Sequence, residues 1–292
     1  MAIFARVNTP SSAAPKGSGA QKNPEEIEKI ITRIFQLQAL PDTVQTVTRI
    51  LSNPLSTADE VGRAIARDPS LSAQVLKLVN SGFYGFSLPI TSISHSTVLL
   101  GFNVMKSMVL SCSVVNLSGS AISGLWPHSL ACARLCSMIA KTLGFEDSEE
   151  FGAMGLLHDL GKVVIAEYLK PEFQEIATRV QRDNRLIVEV EREVLGVDHT
   201  DVARWLLTRW KLPETSVAPI AMHHRIQSEH PCARRAAVIH LADILIRAGG
   251  YGSGGDRRIP PLDPVALTIL DVKVEDLPSL INEMMIELRE FE

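Results

Sequence analysis

Gly155-Leu156-Leu157-His158-Asp159-Leu160-Gly161-Lys162 sets a histidine beside an aspartate inside an otherwise apolar run. Phe151, Met154, Leu157, Val164 and Ile165 recur near the helical period, so the run reads as part of a helix. Burying a carboxylate next to an imidazole costs several kcal/mol unless something compensates both. A metal cation does so, because neutral imidazole and carboxylate are ordinary ligands of transition metals. A His–Asp pair that only staples a core is the alternative. Gly155 and Gly161 each weaken a helix by roughly 1 kcal/mol relative to Ala, which close approach of another backbone or of a ligand would explain.

The rest of the candidate chemistry is scattered. Of eight histidines, His128 follows Trp126-Pro127 at a helix start, and His199 opens another within Val197-Asp198-His199-Thr200-Asp201. His223 and His224 form a second adjacent pair at a helix end, and Asp243 closes His240-Leu241-Ala242-Asp243. Each alone has an ordinary structural reading. Together, His128, His158, Asp159, His199, His223, His224 and Asp243 fall at helix starts, ends or apolar faces, as one pocket between the helices of a bundle would require. Cys132 and Cys136 share a face with His128 and read as small apolar packing. His240, one turn before Asp243, reads as a core or surface histidine, or as one supporting the ligands from behind. His95 and His230 read as bystanders.

The elements that must position these residues are helices throughout. Residues 1–23, rich in Ser, Ala, Gly and Pro, read as a flexible leader. Asn23-Pro24-Glu25-Glu26 then starts a helix with Ile27, Ile30, Ile31, Ile34 and Leu37 on one stripe. Further starts follow at Leu40-Pro41, Ser56-Thr57 and Asp68-Pro69-Ser70. Asn80 to Phe86 forms an aromatic loop that plugs a gap or docks a partner. Ser94 to Leu117 is too apolar to lie exposed, and Gly101 divides it. Beyond Ser118-Gly119-Ser120 the pattern predicts helices near 125–143, 147–169, 171–182, 185–195, 198–210, 213–223 and 231–249. A mobile glycine-rich loop, Gly249 to Gly255, precedes a last helix from Asp276 to Glu290. No alternating strand and no repeat is present. The expectation is an all-α, two-lobed bundle: an N-terminal lobe at 24–120, a ligand-bearing lobe at 121–250, and a loop with a closing helix at 251–292.

Composition narrows the function. The 292 residues are 46% hydrophobic and 21% charged, within the globular range, and long enough for a sizeable core. A formal charge of −4 argues against non-specific nucleic-acid binding, and Arg234-Arg235 and Arg257-Arg258 are too few for a basic patch. The four cysteines show no CxxC pair, fitting reduced thiols. No apolar run reaches the length of a membrane span, and no secretory signal opens the chain. A soluble, cytoplasmic protein is expected.

His128, the His158-Asp159 pair and Asp243 occur in the order seen in the HD superfamily of metal-dependent phosphohydrolases. Leu40-Pro41, Asp68-Pro69-Ser70-Leu71, Val75 to Ser81, Ile93 to Gly101, Gly155 to Gly161 and Trp210-Lys211-Leu212-Pro213 together resemble the HDOD family, over roughly residues 25–250. That resemblance implies an all-α regulatory module of bacterial signal transduction with a signalling protein as partner. Members often lack the HD residues and then act by binding; this chain keeps them. His199, His223 and His224 are similar to further histidines of the related HD-GYP phosphodiesterases. Arg225 stands where that group has an acid, however, and no Gly-Tyr-Pro follows, which implies absent or very slow cyclic-dinucleotide hydrolysis.

Three functions are carried forward: a metal-binding signalling module, an active phosphohydrolase on a nucleotide or cyclic dinucleotide, and a metal-free scaffold. In the first two, Asp159 could bridge two cations about 4 Å apart, with His128, His158 and Asp243 on one and His199, His223 and His224 on the other. Iron, manganese, nickel or zinc would accept these donors. Lys162, one turn beyond His158, could neutralise a phosphate as a catalytic group, or be a solvated helix-end lysine.

Overall fold

A computed structural model describes residues 23–37, 41–81, 86, 88–118 and 122–289. The leader up to residue 22 and the Gly82–Gly85 part of the aromatic loop lie outside the described residues. The chain is all-α, with no strand among the described residues.

The N-terminal helices start where local chemistry predicts. Asn23 accepts a hydrogen bond from Glu25 N at 3.0 Å at the start of α1 (Pro24–Leu37). After α2 (Asp42–Leu51), Thr57 and Glu60 form a reciprocal capping box on α3 (Ala58–Ile65). Asp68 accepts from Leu71 N at 3.0 Å, and Pro69 takes the first position of α4 (Pro69–Val79). Asn80 closes the following loop, donating to Ile90 O at 2.7 Å and accepting from Ile90 N at 2.6 Å. The apolar stretch becomes α5 (Ile93–Ser118), kinked at Gly101, whose φ of 81° only glycine adopts without strain. α5 meets α2, α3 and α4.

α5 also meets α7 (Ser148–Leu157) and α8 (Leu160–Tyr168), which follow α6 (Leu125–Thr142). Then come α9 (Lys170–Asp183), α10 (Ile187–Leu195), α11 (His199–Arg209), α12 (Glu214–Met222) and α13 (Ala233–Ala248). One contiguous buried cluster runs from Ile27 to Leu277, and α1 lies against α11. The chain ends with α14 (Pro264–Leu270), a short 3-10 turn at Val274–Asp276, and α15 (Leu277–Arg289).

Two expectations need correction. The helix expected over 147–169 is two helices, broken at His158-Asp159. Adjacent residues on a continuous helix point about 100° apart; the break lets both side chains meet, with His158 Nε2 3.3 Å from Asp159 Oδ2. Second, α14 was not anticipated, although Asp263-Pro264 carries the same cap signal as Asp68-Pro69: Asp263 accepts from Val265 N at 2.9 Å.

Candidate metal centre

The seven scattered residues converge. His128 sits in the first turn of α6, His158 and Asp159 at the α7–α8 break, and His199 at the start of α11. His223 and His224 follow the end of α12, and Asp243 lies on α13. His128 Nε2 is 3.3 Å from His158 Nε2 and 3.2 Å from Asp243 Oδ1. Asp159 stands between two groups: Oδ2 is 3.5 Å from His128 Nε2, and Oδ1 is 3.4 Å from His199 Nε2. His199 Nε2 is 3.1 Å from His224 Nε2, and the His223 ring centre is 5.1 Å from that of His158. Six of the seven are at most 2% exposed, and His224 is half-buried.

Three imidazoles are aimed by what lies behind them. His158 Nδ1 is 2.8 Å from Gly155 O, and His223 Nδ1 is 2.7 Å from Ile220 O. A ring nitrogen that close to a carbonyl carries the proton, so Nε2 is left as a lone pair pointing into the pocket. Glu191 does the same for His199, with Oε2 2.6 Å from Nδ1 and accepting from His199 N at 3.0 Å. Asp159 Oδ1, His223 Nε2 and Asp243 Oδ1 are buried without a well-formed hydrogen bond, their near neighbours being other ring nitrogens of the pocket: His199 Nε2 for Asp159 and His128 Nε2 for Asp243. Such atoms are rare in folded proteins, and three at one centre suit a set of ligand atoms.

Charge agrees with that reading at Asp159, Asp243, His223 and His224, while at His158 it favours the proton that a cation would have to displace. Burial alone would raise the Asp159 carboxyl, but His158, Lys162 and His199 outweigh it and hold it well below the usual range. Burial is likewise outweighed at Asp243, by His128, Arg247 and His158. Burial, reinforced by neighbouring histidines, drives His223 down to about 3 and His224 well below its ordinary value. Burial opposes protonation of His158 too, but there the Asp159 carboxylate wins and the pKa rises. Ionised carboxylates and neutral imidazoles are the states metal ligation demands.

The surroundings contain residues that the sequence hid. Glu191 occupies the apolar stripe of α10, with Ile187, Val190 and Val194; an acid at a core position was the available signal. Cys132 is closer to the chemistry than its packing role suggested: Sγ is 3.6 Å from His128 Nε2, and it groups with His128, His158 and Asp243. Burial, with Asp243 nearby, pushes its thiol well above the ordinary value. His240 supports the pocket from behind, donating from Nδ1 to His223 O at 2.7 Å and accepting Asp263 N–H on Nε2 at 2.9 Å. His95 is exposed, and His230 accepts from Cys232 N in a loop, both away from the centre.

Lys162 is not a solvated lysine. It is 1% exposed and donates to Asp159 Oδ2 at 2.8 Å and to Gly254 O at 2.9 Å. The glycine-rich loop is correspondingly anchored over the pocket, which corrects the expectation of a mobile loop. Ser253 N donates to Gly124 O at 2.9 Å, Gly252 packs on the backbone of His128, and Asp256 pairs with Arg247 and accepts from Ile187 N. The two helix glycines mark close approaches of backbone: a Cβ on Gly155 would lie 2.9 Å from Ala133 Cα, and one on Gly161 would lie 2.7 Å from His199 C.

An all-α bundle with a His–Asp pair at a helix break and histidines at neighbouring helix ends is a domain of the HD type. The HDOD domain family matches residues 37–226, and the chain belongs to that family. Over 202 residues it is 26% identical to an uncharacterized protein of Treponema pallidum (strain Nichols), covering 68% of this chain and 39% of that protein. Over 149 residues it is 31% identical to the uncharacterized protein YuxH of Bacillus subtilis (strain 168), covering 50% of this chain and 34% of YuxH. The chain thus spans well under half the length of these curated relatives. Among solved structures it resembles an HDOD domain protein of unknown function from Geobacter sulfurreducens (TM-score 0.69, 25% identity, 92% of this chain and 97% of that one). A proposed phosphohydrolase from Shewanella amazonensis SB2B shares the fold (TM-score 0.66, 24% identity, 88% and 93% covered). So does a proposed signal transduction protein from Marinobacter aquaeolei VT8 (TM-score 0.68, 18% identity, 91% and 63% covered).

Proposed function

We propose that the chain is a metal-binding HDOD signalling module that works by engaging a partner protein and does not turn over a phosphoester. The observation that supports it is the set of buried ligand atoms without a well-formed hydrogen bond on Asp159, His223 and Asp243, met by the aimed Nε2 atoms of His158 and His199. These donors fit a divalent transition metal, with His128, His158 and Asp243 for one ion, His199, His223 and His224 for a second, and Asp159 between them. Such a metal, when bound, supplies Lewis acidity toward water or a phosphoryl oxygen.

The chain's own residues favour closure over turnover. Lys162, the cation best placed for a phosphate, is occupied by Asp159 and Gly254 O beneath the anchored loop. Arg225 is exposed and follows the histidine pair without adding a carboxylate to the pocket. The phosphohydrolase reading keeps one observation of its own: His224 is half-buried, so the pocket has an edge near the surface.

Elemental analysis of protein purified without added metal tests the reading. The expected result is about one or two transition-metal ions per chain, lost in Asp159→Ala and reduced in His199→Ala, with cyclic-dinucleotide turnover well below about 1 per second. Protein that binds neither manganese nor iron would leave only a scaffold; turnover at ordinary enzyme rates would establish the hydrolase.

A further inference from the structure

A second polar site lies away from the histidines, where the α2–α3 turn, the kinked part of α5 and the end of α11 meet. It is a cleft of about 390 Å³, bordered by Ser52, Asn53, Phe102, Asn103, Lys106 and Lys211 among others, none of them acidic. Lys106 is 4% exposed, yet its ammonium donates only to neutral oxygens: Ser52 Oγ at 2.8 Å and Lys211 O at 2.9 Å. No carboxylate among the described residues pairs with it. A lysine this buried is almost always paired, because an uncompensated charge is costly to desolvate. Burial, and then the Lys211 charge, lower its pKa to about 8.

The second cation is set deliberately. Lys211 has a φ of 55°, a left-handed conformation uncommon for a residue with a side chain; its carbonyl accepts from Lys106, and the residue, exposed, lines the same cleft. Gly101, at the kink of α5, immediately precedes Phe102 and Asn103, which line the cleft together with Lys106 of the same helix. Asn103 donates from Nδ2 to Glu150 Oε1 at 3.2 Å. The cleft therefore combines two lysines without an acid, side-chain amides and an aromatic wall, at a volume within the usual range for small-molecule sites.

We propose that this cleft binds a small organic phosphate of mononucleotide size, its phosphate on Lys106 and Lys211 and its body against Phe102. The phosphate supplies the counter-charge that Lys106 lacks, and Asn53 and Asn103, which line the same cleft, each keep one amide atom beyond the bonds that Asn53 Oδ1 accepts from Leu55 N and Asn103 Nδ2 donates to Glu150. The site is independent of the metal pocket, so either assignment can fail alone.

Calorimetric titration of the full chain with AMP, with adenosine, ribose 5-phosphate and inorganic phosphate as comparison probes, tests it. AMP is expected to bind with a Kd of about 1 mM or tighter, in competition with phosphate, and adenosine far more weakly. Lys106→Met and Lys211→Ala should each weaken AMP by at least about tenfold, the worth of one charge-assisted hydrogen bond, without changing metal content. Should Lys106→Met fail to fold, Lys211→Ala, at an exposed side chain, carries the test. Absence of binding by every phosphate probe, adenosine binding as tightly as AMP, unchanged affinity in Lys211→Ala, or loss of binding with Asp159→Ala would each overturn the proposal.

Discussion

Replacing Gly161 by alanine asks whether the pocket depends on the packing of α8 against the start of α11. A Cβ there would lie 2.7 Å from His199 C and 2.9 Å from His199 Cα, and closer still to the carbonyl oxygen. Carbon atoms sit best at about 3.5–4.0 Å, so α11 must retreat by about 1 Å. Overpacking of this kind costs about 1–3 kcal/mol, and the obstacle is backbone, which cannot swing aside. The better helix propensity of alanine returns at most about 1 kcal/mol. Net destabilisation of about 1–2 kcal/mol follows, read as a lower urea midpoint at constant slope. The same retreat carries His199 Nε2 away from Asp159 Oδ1, now 3.4 Å apart, so metal affinity on the His199 side should fall more than stability does. Val163→Ala, at a half-buried position on the same helix, serves as the comparison. Gly161→Ala protein with an unchanged midpoint and an unchanged metal titration would show that the close approach does not hold the pocket together.

Three further outcomes are expected. Glu191→Gln keeps the shape of the residue behind His199 but removes its charge, and should lower metal affinity by about 10–100-fold with little change in urea midpoint; equal affinity would mean that His199 is not positioned by Glu191. Lys162→Met leaves Asp159 buried without its nearest cation, a loss of about 3–5 kcal/mol in metal-free protein and much less after manganese is added; the same loss in both forms would show that metal does not satisfy Asp159. The third concerns acid. His223 has a folded pKa of about 3 against an ordinary 6.5, so the unfolded chain takes up that proton first and stability falls as pH drops from about 6.5 toward 3. His223 alone removes about 2 kcal/mol by about pH 5, and His158, raised instead, offsets part of this. Asp159 and Asp243, depressed by their partners, add to the loss at still lower pH. A urea midpoint of metal-free protein that rises between pH 7 and pH 5 would contradict the neutral state of His223.

What the sequence made legible follows from which signals are local. Caps are local, so Asn23, Thr57 and Asp68 marked their helices, and Asp198, which accepts from Thr200 N at 2.8 Å, marked the helix that presents His199. Polar residues inside apolar runs also declare themselves, because burial without a partner is costly; that logic drew together seven residues from positions 128 to 243. The break at His158-Asp159 carried no such mark. The apolar period runs through it, and only the contact between Gly161 and His199, 38 positions later (199 − 161), shows why the backbone turns there. Glu191 was hidden for the opposite reason: its partner lies just eight positions on, but an acid on a helix reads as surface unless its stripe is followed through. The glycine-rich loop shows the limit most clearly. Its composition predicts freedom, whereas its place is set by what it covers: Gly252 fits against the His128 backbone where a side chain would collide, and Gly254 offers a bare carbonyl to Lys162. Flexibility read from glycine content is a property of the isolated segment; here the same absence of side chains is what allows the loop to lie close over the pocket.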